Sequence, residues 1–480
     1  MEAGIAEKSG NADGVKASTV FDRKRANINH TWRWGEMARD LMRIGERARK
    51  KRKEVFTSIY HYVTDVEHLR ACYEELPADS APGVDGVTKE EYGKDLDKNI
   101  EDLSERLGRM GYRPKPVRRV YIPKPGSTKK RPLGIPSFED KLVQLALMRV
   151  LEQIYEVDFE ESSYGYRPGR TQHQALGRLG RTIQQKRVSY VVEADIKGFF
   201  DHVNHEWMMK MLEVRIKDKR VLRLIARMLR GGVMEEGLVK ASEEGVPQGG
   251  NLSPLLSNIY LHYALDLWFE RVFRRQCRGE AQYFRYADDY LACFQNQKEA
   301  ESFMKEMKER LEKFHLEIEP SKTKLIEFGR FAEKNAHKRG KKPETFDFLG
   351  FTHYCGKTRS GYFKVKRRTS GKKFRAGLRG MKDWLKQERN REKTGELLKK
   401  ARQKLEGHLN YYAVTDNWQM CDKFRYQAER IVLKWLNRRS QRKSYTWERY
   451  KDALAWVGWP SIRIKWNLEP CRRELALNGN

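Results

Sequence analysis

Apolar positions along this chain follow two periods, and the switches between them mark its elements. Between residues 138 and 155 they recur at 142, 143, 145, 147, 150, 151 and 154, which predicts a helix. Residues 36–76 set Met42, Ile44, Val55, Ile59, Tyr62 and Val66 among basic positions at helical spacing. The break Pro82-Gly-Val-Asp-Gly86 precedes a helix from Lys89 to Met110. Further helices are predicted over Trp207–Leu229, Leu255–Phe273 and Ala300–Phe314. Val117–Ile122 and Arg131–Ile135 are strand-like and flank Lys124-Pro-Gly-Ser127, a hairpin by its turn chemistry. Tyr190-Val-Val-Glu-Ala-Asp195 is an apolar run that ends on an acid. Tyr283–Phe294 reads as strand, turn, strand, with Asp288-Asp289 at the turn, and Thr345–Tyr354 and Gly361–Val365 read as strands. Gly245-Val-Pro-Gln-Gly-Gly250 is a loop. From Met381 onward helical spacing dominates, with breaks expected near Gly407 and before Pro460. Residues 1–25 are small and polar and read as a disordered leader, and no internal repeat is present.

Length changes this picture little: 480 residues predict two to four structural units with a sizeable core. Charge changes it more. Lys and Arg total 97 against 66 Asp and Glu, a net +31, as expected of a protein with a phosphate-rich partner. Residues 331–480 hold 38 basic and 15 acidic residues, so +23 of the +31 lies there. Ten basic residues and no acid fall in 351–380, interleaved with Tyr354, Tyr362, Phe363 and Phe374. Rings that stack on bases beside cations that hold phosphates suit a nucleic-acid surface. Two clusters are candidate RNA contacts: Arg49, Lys50, Lys51 and Arg52, and Arg367, Arg368, Lys372 and Lys373. No two of the six cysteines stand at C-x₂₋₄-C spacing, which argues against a zinc ribbon and for reduced thiols. His202 and His205 have no partner at metal-ligand spacing. No signal peptide or membrane-span stretch is found, so a protein without a membrane partner is expected.

The acids carry the chemistry. Like charges repel at a tight turn between apolar strands, as at Asp288-Asp289, and a bound cation relieves that repulsion. With Asp195 at another strand end, three carboxylates are offered to hard cations such as Mg²⁺. Nucleotidyl transfer uses two such ions held a few ångströms apart.

The motifs around these acids resemble one family. Tyr286-Ala-Asp-Asp289 is similar to the Tyr-x-Asp-Asp box of reverse transcriptases, and Asp195-Ile-Lys-Gly-Phe-Phe-Asp201 to their first metal-binding motif. Pro247-Gln-Gly-Gly-Asn-Leu-Ser-Pro254 resembles the loop-and-helix motif of group II intron reverse transcriptases. Pro114 to Pro136, Ser163-Tyr-Gly-Tyr-Arg-Pro-Gly-Arg170, Pro320-Ser-Lys-Thr-Lys324 and Phe348-Leu-Gly-Phe351 fit the remaining blocks in order. Gly407-His-Leu-Asn-Tyr-Tyr412 and Trp435-Leu-Asn-Arg-Arg-Ser-Gln-Arg442 resemble the maturase region, so the likeness runs from about 55 to 450.

This resemblance implies an α+β right-hand polymerase: fingers and palm over 55–365 and an α-helical thumb, or maturase domain, over 366–450. A disordered leader and basic arm occupy 1–54, and 451–480 is a short tail without the family's endonuclease. A protein of this plan is expected not to cut the second DNA strand and to extend a primer supplied from elsewhere. It further implies that Asp195, Asp288 and Asp289, with the Ile196 carbonyl, hold two Mg²⁺ ions, with Mn²⁺ as a substitute. Lys124, Arg131 and Lys322 would meet the dNTP triphosphate, and Phe199 or Phe200 would exclude a 2′-hydroxyl. Gln248 would pack by the nascent base pair, and Phe348 and Gly350 would contact the primer end. The implied partners are group II intron RNA, an RNA template with a DNA primer, dNTPs and target DNA. The implied place is the bacterial cytoplasm and nucleoid. The alternatives are a domesticated reverse transcriptase of repair or defence and a splicing-only maturase. The intact acids, with Lys124, Arg131 and Gln248, argue against the second.

Overall fold

A computed structural model describes residues 35–123, 130–235, 237–240, 243–439 and 445–469. The expected leader and Lys124 lie outside these residues. Eleven strands are present among them: β1 Val117–Pro123, β2 Lys130–Ile135, β3 Tyr190–Asp195, β4 Val233–Glu235, β5 Leu238–Lys240, β6 Ala281–Tyr286, β7 Asp289–Phe294, β8 Lys324–Glu327, β9 Phe346–Phe348, β10 Phe351–Lys357 and β11 Phe363–Thr369. They form three sheets, in the orders β2-β1-β4-β5, β6-β7-β3-β8 and β11-β10-β9. With the helices that pack on them, the fold is α+β.

The second sheet is the centre, and its composition follows from burial on both faces. Alternate side chains of a strand point to opposite faces. Val192, Ala194, Tyr283, Tyr290, Ala292 and Phe294 join one hydrophobic cluster, which extends to the helix Phe138–Tyr155 and the run beginning at Ser253. Val191, Phe284, Leu291 and Cys293 join the other, with the helices Gln172–Gln185, Thr394–Tyr412 and Trp418–Leu436. A sheet covered on both faces needs apolar residues at successive positions, hence the unbroken run at 190–192 and the run at 290–294.

Several expected boundaries move. Trp207–Leu229 is two helices, His205–Glu213 and Lys219–Leu229. Asp218 breaks them apart, because its carboxylate caps the second helix at Arg220 N and also accepts from Ile59 N and Tyr60 N, each 2.9 Å away. The long apolar helix is a continuous run from Ser253 to Gln276, with π turns at His262–Asp266 and Phe269–Phe273. Strand 345–354 folds back at Leu349-Gly350, so Phe348 pairs with Phe351. The break expected near Gly407 is absent. The helix Thr394–Tyr412 runs through it, because Leu397, Leu398, Ala401, Leu405 and Leu409 bury the opposite face. That burial outweighs the roughly 1 kcal/mol that glycine costs a helix. Within the segment expected as a short tail, residues 451–469 pack onto the fold: Leu454, Val457 and Leu468 are buried, and Trp466 bridges to Val414. The helix Gln172–Gln185, capped reciprocally by Thr171 and Gln174, and the strands β4, β5 and β8 are additions to the sequence reading. No helix among the described residues is long and apolar enough to cross a membrane.

Candidate active site

Strand pairing alone brings the acids together. Asp195, at the end of β3, stands opposite Asp289, at the start of β7, in the antiparallel ladder. Asp289 also faces Tyr286 of β6, so Ala287 and Asp288 form a two-residue turn at the same end of the sheet. Ala287 has φ 57°, a left-handed conformation costing roughly 1–2 kcal/mol for a residue with a Cβ.

A buried network holds that turn. Arg285, fully buried on β6, donates through Nη1 to the Ala287 carbonyl at 3.0 Å and to Asn258 Oδ1 at 2.9 Å. Its Nε and Nη2 donate to both carboxylate oxygens of Asp266 at 2.8 and 2.6 Å, and Asp266 is equally buried. Asn258 Nδ2 donates to the Gly165 carbonyl at 2.8 Å. Gly165 lies so close to the turn that a Cβ there would stand 2.3 Å from Ala287 N. The segment around it runs along the edge of β6, Arg285 N donating to Ser162 O and Tyr164 N to Arg285 O, each at 2.9 Å.

The electrostatics are those of crowded carboxylates. Burial, and then the Asp195 charge, raises the Asp288 carboxyl above its ordinary range, and Arg131 and Lys322 oppose the rise. Asp289 is open to solvent on one side and ringed by protein on the others. Burial, then Asp288 and Asp195, pushes its carboxyl up to about 7. Lys322, on the turn Pro320–Lys322, ion-pairs with Asp195, and that hydrogen bond raises its ammonium pKa. Among the described residues no three His, Cys, Asp or Glu side chains converge as a ready metal-ligand set. Instead a lysine ammonium stands on one carboxylate while the other two retain protons more readily. This surplus of negative charge is what a divalent cation satisfies, so the donor set fits such an ion.

The other candidates gather around this end of the sheet or fall away from it. Arg131 is exposed on β2, with its charge felt at Asp288. The loop 245–250 ties β2 to the segment after β3: Val246 N donates to Phe200 O and Gly134 N to Gln248 O, both at 2.7 Å. Phe199 is buried at 2% exposure, whereas Phe200 is half-buried and meets it edge-on at 5.3 Å. Ile196 is bracketed by Lys197 N donating to Glu317 O and Glu319 N to Asp195 O. Phe348 is buried and Gly350 has φ 81°. His205 is bonded to the Gly245 carbonyl at 2.8 Å, and His202 lies 3.4 Å from Glu244.

One RNA candidate is corrected. Arg367 is 2% exposed, and its Nη2 donates to Leu176 O at 3.0 Å beneath the helix Gln172–Gln185. Burial lowers its guanidinium to about 10. Val365, Arg367 and Thr369 share the inward face of β11, and that alternation was the available signal. Arg368, Lys372 and Lys373 are exposed, and the Lys373 charge reaches Asp289. Arg49, Lys50, Lys51 and Arg52 are exposed at the end of the helix Gly35–Lys50, whose Leu41, Ile44 and Ala48 are buried. Asp266, Arg285, Asn258 and Gly165 escaped the sequence reading. The trace of the first three is a charge or amide set inside an apolar run, and Gly165 stood only as one position of the Ser163–Arg170 block.

Residues 122–353 match the family described as reverse transcriptase (RNA-dependent DNA polymerase). The chain is 39% identical over 222 residues to the group II intron-encoded protein LtrA of Lactococcus lactis subsp. cremoris, covering 46% of this chain and 37% of that relative. It is 36% identical over 274 residues to protein YkfC of Escherichia coli (strain K12), covering 51% of this chain and 72% of YkfC. It is also similar to nuclear intron maturase 1, mitochondrial, of Arabidopsis thaliana, 34% identical over 97 residues, which cover 20% of this chain and 13% of the maturase. The chain thus spans well under half the length of LtrA.

Proposed function

The chain belongs to the reverse transcriptase family of RNA-dependent DNA polymerases, and from that premise we propose that it copies RNA into DNA at the cleft of Asp195, Asp288 and Asp289. The observation that carries this reading is the register of Asp195 against Asp289, with Asp288 in the adjoining turn and both turn acids raised in pKa. On this reading the central sheet is the palm, the β1–β2 sheet belongs to the fingers, and the helices after β11 are the thumb.

Asp195, Asp288 and Asp289, with the Ile196 carbonyl, would hold Mg²⁺, or Mn²⁺ in its place. When bound, such ions acidify a primer 3′-hydroxyl and neutralise a triphosphate. Arg131 forks onto phosphate oxygens from β2, and Lys124 carries a second charge for the same triphosphate. Lys322 releases Asp195 and turns its charge to the triphosphate. Phe200 is the sugar gate, since Phe199 is spent in the core. Gln248, tied through its own carbonyl to Gly134, packs by the new base pair. The Phe348–Phe351 turn receives the primer end.

The relatives' names support group II intron RNA as the bound RNA and template, with splicing assistance and DNA targeting as companion roles. Bacterial relatives support a place in the bacterial cytoplasm and nucleoid. The test is extension of a DNA primer on an RNA template by the purified protein with Mg²⁺ and dNTPs. Asp195→Asn, or Asp288→Asn with Asp289→Asn, should leave under about 1% of synthesis with RNA binding intact. Synthesis well above that level would sink the metal assignment. A wild-type protein that binds RNA but extends nothing would favour the splicing-only maturase.

A further inference from the structure

Leu349 and Gly350 both lie in the left-handed region, at φ 48° and 81°, so the reversal between β9 and β10 is strained at Leu349 and needs an outside hold. The hold comes from a distant helix. Tyr411, on the last turn of Thr394–Tyr412, donates its hydroxyl to the Leu349 carbonyl at 2.8 Å. Its neighbour Tyr412 closes over Gly350, where a Cβ would stand 2.9 Å from the Tyr412 hydroxyl oxygen. The Phe351 ring stacks on Tyr411 at 5.8 Å and 23°. Tyr411 is itself fixed, since His173 Nε2 bonds its carbonyl at 2.8 Å. His173 in turn stacks on Trp466 at 4.4 Å and 10°, and Trp466 Nε1 donates to Asn410 O at 2.8 Å.

The same tyrosine packs on the cluster that backs the acid hairpin. Phe284 and Leu291 of the acid hairpin share one buried cluster with Phe348, Phe351 and Tyr412, and Tyr286, which pairs with Asp289, packs against that cluster as Tyr411 and Leu349 do. Tyr411 is therefore bonded to the turn proposed to receive the primer end and packs on the same cluster as the acid hairpin.

We propose that Tyr411 is a positioning residue that fixes the Leu349-Gly350 turn relative to Asp289, and through it the primer 3′ end. This rests on the polymerase reading above. A hydroxyl that positions a primer acts on the rate of bond formation and leaves dNTP capture alone. A hydroxyl that merely braces the fold acts on stability.

The test is Tyr411→Phe in the full chain, which keeps the ring and deletes the bond. On a primed RNA template at saturating primer–template, single-turnover addition of the first dNTP should slow by roughly three- to tenfold, the effect of one hydrogen bond. The dNTP concentration for half-maximal rate should stay within about twofold, and the melting temperature within about 1 °C. Gly350→Ala, which crowds the same turn from the Tyr412 side, should slow addition too. The double variant should be no slower than the worse single one, because both act through one turn. An unchanged rate in Tyr411→Phe, a loss confined to dNTP affinity, a matching fall in melting temperature, or multiplicative losses in the double variant would each overturn the proposal. If the wild-type protein extends no primer, the polymerase reading falls and this proposal with it. If it does and Tyr411→Phe is indistinguishable from it, only the positioning role falls.

Discussion

Replacing Arg285 by methionine separates what the buried network does for the fold from what it does for the turn that carries Asp288. Arg285 and Asp266 are both fully buried and joined by two hydrogen bonds. Arg285→Met keeps much of the volume but strands the Asp266 carboxylate, a loss of roughly 3–5 kcal/mol when one partner of a buried pair is removed. For a chain of this length, about 2.1 cal/mol/K per residue turns that loss into a fall of roughly 3–5 °C in melting midpoint. Arg285→Met with Asp266→Leu removes both charges and should recover most of the stability, since an apolar pair of similar size replaces the ionic one. Synthesis should not recover with it. The Ala287 carbonyl has still lost its bond from a charged donor, worth roughly 1.5–3 kcal/mol, so primer extension should stay about ten- to a hundredfold below wild type. Denaturation curves and primer extension on both variants give the answer. A single variant as stable as wild type would refute the buried-pair energetics, and a double variant with full synthesis would reduce the network to a scaffold.

Phe200→Ala should admit rNTPs, whereas Phe199→Ala, emptying a core position, should cost roughly 3–5 kcal/mol of stability without relaxing sugar choice. Competition between dATP and ATP checks it, and the opposite assignment would move the gate. Neutralising Arg49, Lys50, Lys51 and Arg52 should reduce the salt slope of RNA binding by about 0.7–0.9 for each phosphate left without its cation. Arg367→Met should destabilise the protein and leave that slope as it was, and a changed slope would return Arg367 to the RNA surface. His68 and His262 are buried, and burial lowers each imidazole to about 4. The unfolded rings, near 6.5, take up protons that the folded ones refuse. Stability from this source is therefore full above 6.5 and lost as pH falls towards 4, by at most roughly 3 kcal/mol per ring. NMR at pH 5.5 should find both rings neutral, and a protonated ring would contradict their burial.

What the sequence determined by itself was whatever repeats at short range. The apolar run at 190–192 ending on Asp195, and the strands flanking Asp288-Asp289, announced a sheet with acids at one end, because the period of a strand is written in neighbouring residues. The ordered blocks from Pro114 to Phe351 carried the family likeness in the same way. What only the tertiary structure decided was which side of an element met which partner. Phe199 and Phe200 are equal in sequence, and the helices packed under β3 buried one and left the other half-exposed. Arg367 looked like its neighbour Arg368 until the helix Gln172–Gln185 closed over the inward face of β11. Gly407 had the mark of a helix end, and burial of the opposite face overrode it. Arg285 found Asp266 across 19 residues and Tyr411 found Leu349 across 62. Periodicity reports that a face is apolar or polar. It holds no record of how far along the chain the matching surface lies, and the site is built from such long-range matches.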